Sequence, residues 1–229
     1  MSTARRCRDI IARLEALQSE ENINGMKRFG ITGRAYGVRM PELHMIAKDV
    51  GRNHELAWAL WAIDIRETRI LASLIDEPGA VTRAQMEDWA ALFDGWEICD
   101  QCCMNLFRKT SGVERIALEW SRRREEFVKR AGYVLMATLA IHHTSKDKEF
   151  FQECLAAVRQ EADDARWYVK KAVSWTLRQI GKRSPELNVA AITVAEELRQ
   201  RDSAAARWIA GDALRELTSE KIQQRLSRQ

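Results

Sequence analysis

The sequence predicts an all-α protein built from pairs of helices, and three observations predict it. Only three prolines and eleven glycines occur in 229 residues, so the residues that punctuate turns and interrupt helices are scarce. Long runs are rich in Ala, Leu, Glu, Arg and Lys, the best helix formers, and no period-2 run stands between two turn signals. Apolar residues recur instead with helical spacing nearly everywhere, and the interruptions are short.

In chain order, that spacing predicts helices over 4–20, 41–50, 53–62, 65–76, 82–93, 95–109, 113–122, 125–143, 146–162, 165–181, 185–201 and 204–217. Several starts carry caps. Ser184-Pro185 places a capping hydroxyl before a first-turn proline, and Thr82 precedes Arg-Ala-Gln-Met in the same manner. Asp163 and Asp164 stand just before the helix that contains Trp175. With no linker or low-complexity segment to divide it, the chain reads as one domain over 1–229.

A weak internal repeat organises these helices. FVKRAGYVLMATL from Phe127 resembles YVKKAVSWTLRQI from Tyr168, 41 residues on, and Arg166-Trp167 recurs as Arg207-Trp208 at the same offset. Each copy follows another amphipathic helix, so the unit is a helix pair. Period and content fit HEAT-like repeats, which stack into a curved solenoid. One helix of each pair lines the concave face, so side chains far apart in sequence share one groove.

Charge and cysteine content narrow the classes. Thirty-seven basic and 33 acidic residues leave a net charge of +4, compatible with a polyanionic partner only if the cations gather on one face. The longest apolar run, YVLMATLAI at 133–141, is too short to span a bilayer, and the N-terminus lacks the apolar core of a secretory signal. Five cysteines without regular spacing argue against a disulfide framework and for a reducing, cytoplasmic setting.

Most candidate motifs have a structural explanation. Cys99, Cys102 and Cys103 share two helical turns, but no second C-x-x-C or H-x₃₋₅-H completes a tetrahedral metal site, so they read as buried apolar residues. His142-His143 before Thr144-Ser145 suits a helix C-terminus, and His44 and His54 have no partner at a diagnostic spacing. Ser121 to Glu126 alternates into acid at once and reads as a solvated turn. Two constellations remain. Trp96 and Asp100 stand at i and i+4 on one helical face, and Lys171, Trp175 and Arg178 share another, with Arg130 at the repeat position of Lys171. Periodicity alone is equally met by core tryptophans with snorkelling cations around them.

The order G-W-E-I-C-D at 95–100, K-R-A at 129–131 and K-K-A-V-S-W-T-L-R at 170–178 resembles the AlkD-like DNA alkylation repair glycosylases, built of HEAT-like repeats. Y-G-V-R-M-P-E-L at 36–43 is similar to the family's G-[IV]-x-x-P stretch, and the resemblance runs from about residue 20 to 215. It implies a concave DNA-binding groove and a monofunctional alkylbase DNA glycosylase acting on double-stranded DNA. Such an enzyme excises cationic N3-alkyladenine or N7-alkylguanine without a base pocket and leaves an abasic site. By resemblance Asp100 is the catalytic aspartate, Trp96 and Trp175 face the lesion's deoxyribose, and Arg130, Arg178 and Lys171 hold the DNA backbone. No metal, cofactor, membrane or obligate protein partner is implied, and the chain is expected to act as a monomer. Glu97 and Cys102-Cys103 depart from many members. So does Asn24-Gly25-Met26-Lys27, where some relatives carry an aromatic residue.

The chemistry matches the residue types. A cationic base already leaves well, and positive charge moves onto the sugar as the glycosidic bond breaks. A fixed carboxylate stabilises that charge and orients water, and tryptophan faces present their negative quadrupoles to it. Two other readings stay open: a non-catalytic HEAT-like protein that binds bent or branched DNA, and a helical-repeat scaffold for proteins.

Overall fold

The structure, a computed structural model, describes residues 2–142 and 148–228. The predicted helix end at His143 and the Thr144-Ser145 after it lie outside these residues. The described residues form α-helices and one 3₁₀ turn, with no strand among them. They fall into two compact units, Met1–Ser111 and Gly112–Gln229.

The first unit holds α1 (Thr3–Ala16), α2 (Glu20–Lys27), α3 (Met40–Val50), α4 (His54–Trp61), α5 (Arg66–Ile75), α6 (Arg83–Ala90) and α7 (Trp96–Asn105), followed by the 3₁₀ turn Phe107–Lys109. Helices α3, α5 and α7 pack in succession, and α4 packs on α1 and α5. α5 is buried on almost every side, Leu74 being the exception. Its polar residues must therefore find partners inside the protein. Thr68 and Ser73 donate to the carbonyls of Ile65 and Ile70, and Arg66 and Glu67 pair with each other. Beneath α5, Trp61 stacks face to face on Trp89, centroids 4.1 Å apart, and the Arg69 guanidinium lies 5.0 Å from the Trp61 ring. The fully buried Asp76 accepts from His54 Nδ1 at 2.7 Å and from Gln85 Nε2 at 2.6 Å, tying α4 to α6.

The second unit holds α8 (Val113–Trp120), α9 (Glu126–His142), α10 (Lys148–Glu161), α11 (Trp167–Gly181), α12 (Pro185–Arg199), α13 (Ala204–Leu217) and α14 (Glu220–Leu226). Three helix pairs repeat here: α8 packs on α9, α10 on α11 and α12 on α13, while α9, α11 and α13 follow one another as a layer. The 41-residue offset read from the sequence is the step from α9 to α11 and from α11 to α13. Helix α8 approaches α9 closely at Gly132, where a Cβ would come within 2.8 Å of the Ala117 carbonyl oxygen. Only glycine fits there.

The two expected hydroxyl caps form: Thr82 accepts from the Gln85 amide and Ser184 from the Leu187 amide, both at 3.2 Å. The predicted first helix is too long. It ends at Ala16, and Ser19 caps a separate α2 by accepting from the Asn22 amide. The run predicted over 95–109 is α7 plus the 3₁₀ turn, with a break at Leu106. Helix α14 was not predicted; it is seven residues long, too short to show a period.

Candidate functional site

In the first unit, α7 starts at Trp96 directly after Gly95 and positions both residues singled out there. Trp96 is half-buried, and its indole N–H donates to the Phe29 carbonyl at 2.8 Å, which fixes the ring's orientation. Asp100 follows one turn later on the same face and is buried, with 8% of its surface exposed. Cys99, Cys102 and Cys103 are fully buried in the core. Burial first, and the neighbouring Cys99 second, push the Cys102 thiol well above its ordinary pKa and keep it protonated.

Glu97 puts no uncompensated charge beside Asp100. Its carboxylate forks onto Arg66, with Oε2 accepting from Nε and Oε1 from Nη2, both at 2.7 Å. Arg66 also donates through Nη1 to Glu67 at 2.9 Å and to the Val38 carbonyl at 3.1 Å. Burial alone would lower the Arg66 pKa, but the hydrogen bonds and charges of Glu97 and Glu67 outweigh it and raise the value. The fully buried Glu67 carboxylate in turn accepts from the amides of Tyr36, Gly37 and Val38. The Y-G-V-R-M-P-E-L stretch is thus a backbone clasp. Gly37 sits there at φ +77°, in the left-handed region, with the Ser19 carbonyl against the place of a Cβ. A small cleft opens beside Trp96, lined among others by Gly30, Thr32, Arg34, Asp64 and Asp94.

In the second unit, Lys171, Trp175 and Arg178 share one face of α11. Lys171 is exposed, Trp175 half-buried, and Arg178 one-quarter exposed. Arg178 donates through Nη1 to Glu216 at 2.6 Å and lies 3.2 Å from Asp212 through Nε, so two carboxylates of α13 hold its charge. Lys182 donates to the same Glu216. For Glu216, burial by itself would raise the pKa, but the hydrogen bonds from Lys182 and Arg178 outweigh it and the net shift is downward. Arg130 on α9 is buried and donates to the Tyr168 carbonyl of α11 at 2.6 Å. Beside it Lys129 pairs with Glu161 at 2.6 Å and Asp164 at 2.9 Å.

Sequence reasoning did not reach Phe29 or Arg66. Phe29 is 70% exposed while its carbonyl anchors the Trp96 indole, and a lone aromatic after a glycine-containing helix gives no periodic signal. Arg66 meets Glu97 across 31 residues, beyond the reach of any local pattern.

A model of the family described as DNA alkylation repair enzyme matches residues 10–217. The chain belongs to this family. No curated protein matches it. Among solved structures, one described as a new family of proteins related to the HEAT-like repeat DNA glycosylases with affinity for branched DNA structures is 20% identical. It aligns over 91% of this chain and 94% of that one with a TM-score of 0.75. A protein of Streptococcus mutans is 18% identical over 92% of this chain and 95% of that one, with a TM-score of 0.55. At these identities the likeness is one of fold: the helix pairs of this family member are HEAT-like repeats. Both constellations resembling the AlkD-like glycosylases lie on helices inside the matched region, Trp96 and Asp100 on α7 and Lys171, Trp175 and Arg178 on α11.

Proposed function

We propose that the chain is a monofunctional DNA glycosylase that excises cationic N3-alkyladenine and N7-alkylguanine from duplex DNA. The observation that carries this reading is Trp96 and Asp100 on one face of α7, with Asp100 held largely out of water, in a member of the DNA alkylation repair enzyme family. In the reaction the C1′–N bond breaks, its electron pair neutralises the departing base, and the deoxyribose becomes an oxocarbenium-like cation. Water adds its oxygen to C1′, gives up a proton and leaves an abasic site. Asp100 stabilises the cation and orients the water, an interaction strengthened where solvent is excluded. Trp96 and Trp175 present ring faces to the sugar.

Phosphate contact falls first to Lys171, with Arg130 and Arg178 completing the set. No lysine nucleophile, metal or cofactor enters the proposal, so the strand stays intact. Asp100→Asn keeps the shape and removes the charge. Its rate of N7-methylguanine release from duplex DNA is expected to fall about 100- to 1,000-fold. If the native protein releases neither N7-methylguanine nor N3-methyladenine, the glycosylase reading is wrong.

A second reading has support of its own: a non-catalytic protein that binds bent or branched DNA. The solved relative with a TM-score of 0.75 is described as related to glycosylases and as having affinity for branched DNA structures. In this chain the Arg178 charge is already shared with Asp212 and Glu216. Tight binding of a four-way junction with no base release from either lesion would favour it.

A further inference from the structure

The paired Arg-Trp motifs at 166–167 and 207–208 have no part in the proposed reaction. They bring their tryptophans together, with ring centroids 5.7 Å apart and planes tilted by 53°. Trp167 is 51% exposed and Trp208 half-buried. Lys170 Nζ stands 4.7 Å from the Trp167 ring and 5.0 Å from the Trp208 ring, and Lys171 Nζ stands 5.3 Å from Trp167.

The charge state of this cluster differs from that of its neighbours. Lys129, Arg166, Arg178 and Lys182 are each held by a carboxylate. Among the described residues Lys170 and Lys171 have none, and their ammonium groups meet only ring faces. The half-exposed Trp167 of α11, the half-buried Trp208 of α13 and two α11 cations without a carboxylate form an apolar platform edged with positive charge.

We infer that this platform binds unpaired nucleotides of single-stranded DNA, a base stacking on the half-exposed Trp167 with the tilted Trp208 ring at its side while its phosphates meet Lys170 and Lys171. Every base has a flat π-face, and a strand free of its complement exposes that face beside its phosphates. Paired bases turn their faces to one another and leave only edges in the grooves, so duplex DNA satisfies the lysines and leaves the indoles uncovered. An acidic peptide would do the same.

The platform lies within the second unit and needs neither Asp100 nor base release; it shares with the proposed function DNA as the ligand and Lys171 as a phosphate contact, while Trp167, Trp208 and Lys170 belong to the platform alone. The test is binding of labelled oligothymidylate and of an undamaged duplex, in parallel, by the native chain and Trp167→Ala. Oligothymidylate affinity is expected to fall roughly tenfold in Trp167→Ala, with duplex affinity unchanged. Trp167→Phe, which keeps a stacking face, is expected to bind within about threefold of native. Matching circular-dichroism melts separate a lost contact from a lost fold. Equal oligothymidylate binding by the native chain and a folded Trp167→Ala overturns the inference, as does its displacement by an acidic peptide at equal concentration. Failure to bind duplex alongside intact single-strand binding counts against the proposed function and leaves the platform standing; the reverse counts against the platform alone.

Discussion

Arg66 is the residue on which the first unit turns. Its side chain is only 5% exposed and joins two acids, the fully buried Glu67 and Glu97, which is 13% exposed. Breaking a buried charge group on one side costs more than the group itself contributes, because the surviving charges keep their desolvation penalty. Arg66→Ala is therefore expected to destabilise the protein by about 3–5 kcal/mol, measured from the urea midpoint. Arg66→Ala/Glu97→Gln, which removes one orphaned charge along with its partner, should recover part of that loss. A single variant as stable as native would refute the clasp. The spacing of Trp96 and Asp100 was legible in the sequence, because one helix carries both. The pairing of Glu97 was not: its sequence neighbours suggest a stray negative charge beside Asp100, and its partner lies 31 residues away.

Among the elements, α11 and α13 show the repeat continuing while its chemistry reverses. Forty-one residues after Lys171 stands Asp212, and 41 after Trp175 stands Glu216. The positions that carry a cation and an aromatic ring on α11 thus carry two acids on α13, both of which hold Arg178. The offset itself could be read from Arg-Trp and its second copy. The ion pairs it produces could not, since they depend on how far each helix is rotated toward its neighbour. Asp212→Asn with Glu216→Gln frees the Arg178 charge, together with that of Lys182 on the same Glu216, at little cost in volume. Duplex affinity is then expected to rise at low salt, and the slope of log K against log salt to steepen by about one unit, as for one added phosphate contact. An unchanged slope would mean that Arg178 does not reach phosphate even when released, and would remove it from the proposed backbone contacts.

For the molecule as a whole, the class was legible because it rests on averages: scarce glycine and proline, helical spacing and one repeated offset. What stayed hidden was long-range, and it includes the carboxylates that the cations grip. Burial alone would raise the Asp164 pKa, but hydrogen bonds from Arg166 and Lys129 outweigh it and hold the group well below the usual carboxylate range. Glu216 is lowered by the same balance. In the unfolded chain such groups return to about 3.9 for Asp and 4.3 for Glu. Folded values below unfolded ones mean that the unfolded chain binds more protons in this window, so stability rises with pH there. Their contribution is complete above the unfolded values and is lost as pH falls toward the folded ones. On the alkaline side, burial raises Cys102, Cys154 and Tyr133 above their ordinary values, and stability declines once the unfolded thiols and phenol ionise. The urea midpoint should accordingly hold a plateau from about pH 5 to 8 and fall on both sides, steeply below about pH 4. Removing the Asp164 carboxylate with Asp164→Asn should lower the plateau and flatten the acid limb together. A midpoint that climbs between pH 5 and 3 would contradict the downward shifts, and with them the ion pairs that join α9, α11 and α13.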